Sequence, residues 1–214
     1  MKKSLLLCST ALVAILSVNA GAMDFSKDFY GKANVSIGYS VQILDGDLKD
    51  LVNNMKTSPA VSGASKLTHG LTLGIGYNFY YKLSNVFHPF IGLNIEGRIP
   101  LKTKLYSFTH LNYSVKFIDF FAAHAKLGTQ LILSKNIAIA PYYLAGFNVA
   151  QLTDDDDLNE RKIGLSTGAG IDTILFEKYS IGVEYKYSMV KNIVHGDIKA
   201  QGHQIGFKFG YQFL

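Results

Sequence analysis

The last ten-odd residues of the chain constrain its fold more than any other segment. In Gln204-Ile205-Gly206-Phe207-Lys208-Phe209-Gly210-Tyr211-Gln212-Phe213, the odd positions are all large and apolar, and the even positions are small or polar. A strand sends successive side chains to opposite faces, so this segment has one oily face and one polar face. A small soluble protein would leave most of those aromatics without a partner. A transmembrane barrel uses both faces, because the oily one meets lipid and the polar one lines the lumen.

The same period-2 pattern recurs in seven earlier segments, at about 29–43, 66–81, 87–101, 113–133, 137–149, 161–176 and 179–190. In the first, Ala33, Val35, Ile37, Tyr39 and Val41 alternate with Asn34, Ser36, Gly38, Ser40 and Gln42. The fourth is the least regular, because Phe117-Ile118-Asp119-Phe120-Phe121 breaks alternation, which predicts a bulge or a strand extending beyond the membrane. Pro141 interrupts the fifth, where it cannot donate to a ladder. Connections alternate between long (44–65, 102–112, 151–160, 191–201) and short (82–85, 134–136, 177–178). Short periplasmic turns and longer outside loops are the arrangement of a membrane barrel. The expected fold is therefore all-β: an eight-stranded antiparallel up-and-down transmembrane β-barrel with four long outside loops. A secreted periplasmic β-sandwich is the alternative, but it has no need of the long–short alternation.

The N-terminus fits export. Lys2 and Lys3 precede an apolar stretch from Leu5 to Val18, and Ala20-Gly21-Ala22 is a small-x-small cleavage pattern. We expect residues 1–22 to be a cleaved signal peptide and residues 23–214 to form the barrel domain. Without the leader, nineteen basic residues face sixteen acidic ones, too weak an excess to suggest nucleic acid. Cys8, the only cysteine, lies within the leader, so the mature chain needs no disulfide and no thiolate metal site.

Alternation also assigns the lumen. Lys32, Glu96, Arg98, Lys126, Lys162, Asp172, Glu184, Lys186 and Lys208 all fall on inward faces. Eight strands leave an interior just wide enough to be filled by side chains. Charges there must pair to be tolerated, so a polar plug is expected, with a small conducting path as the alternative.

No motif for chemistry stands out. Asp154, Asp155, Asp156 and Asp157 form a run in the third long loop, but consecutive carboxylates lack the alternating spacing of a calcium loop. The six histidines form no metal-ligand pair at close spacing. Ser166 or Ser188 with His203 could be imagined as a nucleophile and base, without a nucleophile motif around either serine. No catalytic residue, cofactor or metal is assigned.

The leader, eight strands, glycine-rich inward faces and aromatic last strand resemble the small eight-stranded outer-membrane β-barrel superfamily. Loop lengths and the Gly210-Tyr211-Gln212-Phe213 ending resemble, more particularly, the rickettsial surface adhesins. One departure is Leu214, which follows the aromatic that usually ends such chains. The resemblance implies a monomer in outer-membrane lipid and lipopolysaccharide that binds a host surface or extracellular protein through its outside loops. A structural barrel without a dedicated ligand is the alternative, and a small channel a further one. Loops carry binding on rigid scaffolds. Lys49, Lys56, Lys102, Lys104, Lys191 and Lys199, with the Asp154–Asp157 run, are the candidate contact residues, the lysines suiting an acidic partner.

Overall fold

The computed structural model describes residues 28–62, 64–102, 104–108, 114–153, 159–191 and 199–213. In chain order the elements are β1 (Phe29–Asp45), α1 (Gly46–Lys56), β2 (Val61–Ser62), β3 (Leu67–Tyr81), β4 (Phe87–Lys102) and β5 (Lys104–Phe108). They continue with β6 (Ser114–Ser134), β7 (Ile137–Thr153), β8 (Asn159–Leu175), β9 (Tyr179–Val190) and β10 (Ala200–Phe213). All pairings are antiparallel, and β1 pairs with both β3 and β10. The ladder β1-β3-β4-β6-β7-β8-β9-β10 thus closes on itself, an eight-stranded barrel.

Barrel shape follows from register. One rung runs from Asp45 through Gln201, Met189, Leu165, Phe147, Ala123, Ile95 and Ile75, and returns to β1 at Val35. It comes back ten residues from its start, the stagger that tilts the strands and sets the barrel's width. Side chains sort as alternation predicts. Ile163, Leu165, Leu93 and Leu127 are 66–73% exposed on the outer wall, a surface that only lipid would cover. Ser40, Gln42, Asn94, Gln130, Glu184 and Gln204 are buried inside.

The irregularities have local causes. The β6–β7 register shifts between Asp119 and Phe121, which is the bulge expected from the broken alternation. Above it Phe117 turns inward and is buried, whereas below it Leu127 faces out. Opposite Pro141 the β6–β7 ladder lapses, missing Thr129 and Gln130 and resuming at Leu131, while Pro141 still pairs with Ile171 on the β8 side. Proline's missing N–H therefore points at β6. At the turn end, Phe176 and Glu177 both take left-handed backbone angles, and Lys178 N–H donates to Leu175 O, closing a tight hairpin.

Two long connections hold more structure than expected. Residues 44–65 contain α1 and β2, and residues 102–112 contain β5, which pairs with β6 and β2 above the barrel. The strands also run past the expected bounds, β7 to Thr153 and β10 from Ala200. Polar residues above the hydrocarbon need not alternate, so period-2 reading stops short there.

Inside, two apolar clusters cap the lumen. At the turn end Tyr80, Phe90, Tyr142, Leu144 and Ile174 pack together. At the opposite end Leu48 and Val52 of α1 press onto Leu44, Leu105, Phe117 and Val190. Glycines let strands pack around this filled interior. A Cβ on Gly146 would lie 2.0 Å from Ala123 O and 2.8 Å from His124 Cα, backbone atoms that cannot swing aside. Gly97 has open space where its Cβ would be. Gly146→Ala is expected to cost on the order of 2 kcal/mol and Gly97→Ala far less, measured as urea-unfolding midpoints of the refolded barrel.

Candidate functional site

Between the two apolar clusters lies a layer of charge. Glu184, on β9, is its hub. Lys186 Nζ donates to Glu184 Oε1 at 3.1 Å and also bonds Glu96. Lys208 Nζ lies 3.3 Å from Glu184 Oε2 and 3.2 Å from Asp172 Oδ1. Tyr142 O–H donates to Glu184 Oε2 at 2.7 Å. Lys126 is 4.0 Å from the same oxygen and sits over the Tyr142 ring. Asn94 donates to Glu96 Oε1 at 2.8 Å. Three lysines thus meet three carboxylates, and the layer is neutral. Arg98 instead donates to Gln42 Oε1 at 2.8 Å and reaches Ser40 O.

This layer bears out the expected polar plug for Glu96, Lys126, Asp172, Glu184, Lys186 and Lys208. Lys32 lies at the turn end instead, where its Nζ reaches Glu177 O at 3.4 Å. Among the described residues, apolar clusters pack toward both ends of the barrel from this layer.

The imagined serine–histidine pairs with His203 do not form. His203 faces outward on β10, bonded through Nδ1 to Tyr185 O–H at 2.7 Å and with Nε2 3.5 Å from Asp45 Oδ2. Ser166 instead meets a different histidine, His124 Nε2, at 2.8 Å. The cavity beside them, lined also by Glu96 and Lys186, has a volume of about 20 Å3. That is room for about one water and for no larger substrate. Alternation did place His124 and Ser166 on inward faces; their adjacency depends on register across β6, β7 and β8.

The outer end gathers the candidate contact residues. Gly46, at φ +61°, turns the chain out of β1, and its missing Cβ makes room for the Gln201 side chain. Asp47 Oδ2 then accepts from Lys199 N–H at 2.8 Å, tying α1 to the start of β10. Asp47 in the first turn and Lys56 in the last both suit the helix dipole. Lys49 bonds Asp45 at 3.0 Å and holds that carboxyl below its usual range. Lys56, Lys104, Lys191 and Lys199 are exposed. Lys102 ends β4. Asp154, Asp155, Asp156 and Asp157 lie outside the described residues, as do His110 and His195. Lys116 on β6 and Arg161 on β8 lie outside the long connections and face outward at the same end.

The family model for the outer membrane protein beta-barrel domain matches residues 8–213. The chain belongs to that family. Its place is the outer membrane, with the short turns at the periplasmic end of the barrel and α1 at the outer end. No curated protein matches the sequence. Several solved barrels are similar to this chain. Ail, the attachment invasion locus protein of Yersinia pestis, is 16% identical over 86% of this chain and 99% of its own, with a TM-score of 0.42. Neisserial surface protein A is 8% identical over 86% and 97%, at 0.44. The N-terminal barrel domain of Pseudomonas aeruginosa OprF is 12% identical over 86% and 99%, at 0.40.

Removing the hub of an outer-membrane barrel's charge layer should be costly, because three lysines lose their shared counter-charge. Glu184→Leu is expected to destabilise the folded barrel by about 3–5 kcal/mol, read from urea unfolding in detergent micelles.

Proposed function

We propose that the protein is a surface adhesin, binding a host-cell or extracellular protein through its outside loops and acting by binding rather than catalysis. The observation that carries this reading is the packing of α1. Leu48 and Val52 bury its inner face completely on the barrel's outer mouth, which leaves Asp50, Asn53, Asn54 and Lys56 exposed on a fixed platform. A surface helix held by tertiary contacts is pre-organised, so a partner need not supply the entropy of ordering it. The filled lumen argues in the same direction, since it leaves the outer surface as the place where a ligand can be met. The narrower likeness to rickettsial surface adhesins is part of this reading, as is removal of residues 1–22 on export. Lys56, together with Lys199, would favour an acidic partner surface.

The test displays the protein on a non-adherent bacterium and counts attached host cells against an unrelated barrel. Replacing Asp50, Asn53, Asn54 and Lys56 with serine keeps the apolar face of α1. It is expected to lower attachment at least several-fold while the barrel still shows heat-shifted migration in gels. Attachment equal to that of the unrelated barrel, before any substitution, would return the protein to a structural role.

A further inference from the structure

Four cations stand on the outward face of the barrel just above its oily belt. Lys104 on β5 and Lys116 on β6 are directly opposite one another in the ladder. Both point out, because the next residues, Leu105 and Phe117, are buried inside. Arg161 on β8 is exposed, with its guanidinium 5.6 Å from the centre of the Phe120 ring. Continuing the β8–β9 register brings Lys191 beside Ile163.

Strand tilt puts these residues at one level. The rung of Lys116 continues through Thr153 to Asn159. Arg161 is two residues below that rung on β8, and Lys191 four residues below it on β9. A stagger of ten residues around eight strands raises the rung by a little over one residue per strand going from β6 to β9, which matches both offsets. Immediately beneath the arc, Ile163 and Leu165 are 73% and 68% exposed, the most exposed large apolar side chains of the wall. The arc therefore lies where hydrocarbon gives way to headgroups. Continuing the β9–β10 register sets exposed Lys199 opposite Lys191, and beyond it the rim carries His203, Asp45 and His69.

Like charges directly opposite on neighbouring strands repel, so the Lys104–Lys116 pair favours an anion between them. Lys116 also interacts within the protein, so it contributes a fixed charge rather than an idle side chain. We propose that this arc binds the phosphate groups of an outer-leaflet phosphoglycolipid. Arginine matches phosphate geometry with paired donors, and lysine supplies point charge beside it. The sideways aim of the arc, at membrane level, selects a lipid headgroup over a soluble acidic protein. This site stands on the outer-membrane location and does not depend on adhesion.

The full barrel is reconstituted in phosphatidylcholine nanodiscs containing a minority of diphosphoryl lipid A or of its dephosphorylated form, and retained lipid is counted by mass spectrometry. The wild type should enrich the diphosphoryl form at least threefold over the dephosphorylated one. K104Q/K116Q/R161Q/K191Q should lower that ratio to near one, and K104R/K116R/K191R should keep it. Heat-shifted migration identifies folded samples, and the single variants R161Q and K191Q, each expected to lower the ratio in part, serve if the quadruple variant does not fold. Equal enrichment of the two lipids, or an unchanged ratio in every neutralised variant, would overturn the proposal. So would competition by millimolar inorganic phosphate that abolishes enrichment, which would mark a site for free anion, or capture of polyglutamate in place of lipid. Host-cell attachment plays no part in this readout, so its failure leaves the adhesin reading to its own test.

Discussion

Hydrocarbon offers no hydrogen bonds, so a strand sheet that crosses it cannot leave an edge unpaired. Pairing of β1 with both β3 and β10 meets that demand, and most of the molecule follows from it. Closing eight strands with a ten-residue stagger fixes the bore, and the bore fixes what can fill it. Tyr142 needs glycine across the way: a Cβ on Gly170, its partner on β8, would lie 2.3 Å from the Tyr142 hydroxyl oxygen. Lysines admitted to that space must find carboxylates, and Glu184 answers three of them.

The filling is ordered by chemistry along the axis. Aromatic and aliphatic groups occupy the turn end, a neutral ionic layer the middle, and a helix-borne apolar cluster the mouth. Excluding water from the middle strengthens the ion pairs but also makes each one indispensable, since any unmatched charge there is buried. Such a core suits a scaffold, and its outward-facing groups are left to deal with lipid below and with whatever arrives from above.

Much of this was legible in the sequence because a lipid-bathed strand has to alternate. The inward charges, the bulge near Phe120 and the disturbance at Pro141 all came from breaks or matches in a two-residue period. What stayed hidden lay where that constraint lapses. Residues 46–56 read as a loop under a two-residue period, although Leu48, Leu51, Val52 and Met55 fall at i, i+3, i+4 and i+7, the spacing of one helix face. Helix α1 is stable because the mouth of the barrel covers that stripe, a tertiary effect that local propensity does not carry. Residues 104–108 likewise read as a loop, since their strand partners lie on β6 and β2. Among candidate site residues, Lys104 and Lys191 fall in the long connections of the sequence, whereas Lys116 and Arg161 stand on strands β6 and β8. Which strand residues reach the rim depends on stagger, and stagger is a property of the closed ring rather than of any segment.

The two apolar clusters share no side chain, and α1 is anchored through the outer one alone. Selection therefore acts on two nearly separate problems. Substitutions at Asp50, Asn53 or Lys56 alter the coat that the cell shows to its surroundings, yet they touch nothing that the ring needs in order to close. A lineage could drift through many such coats while the same barrel is assembled each time.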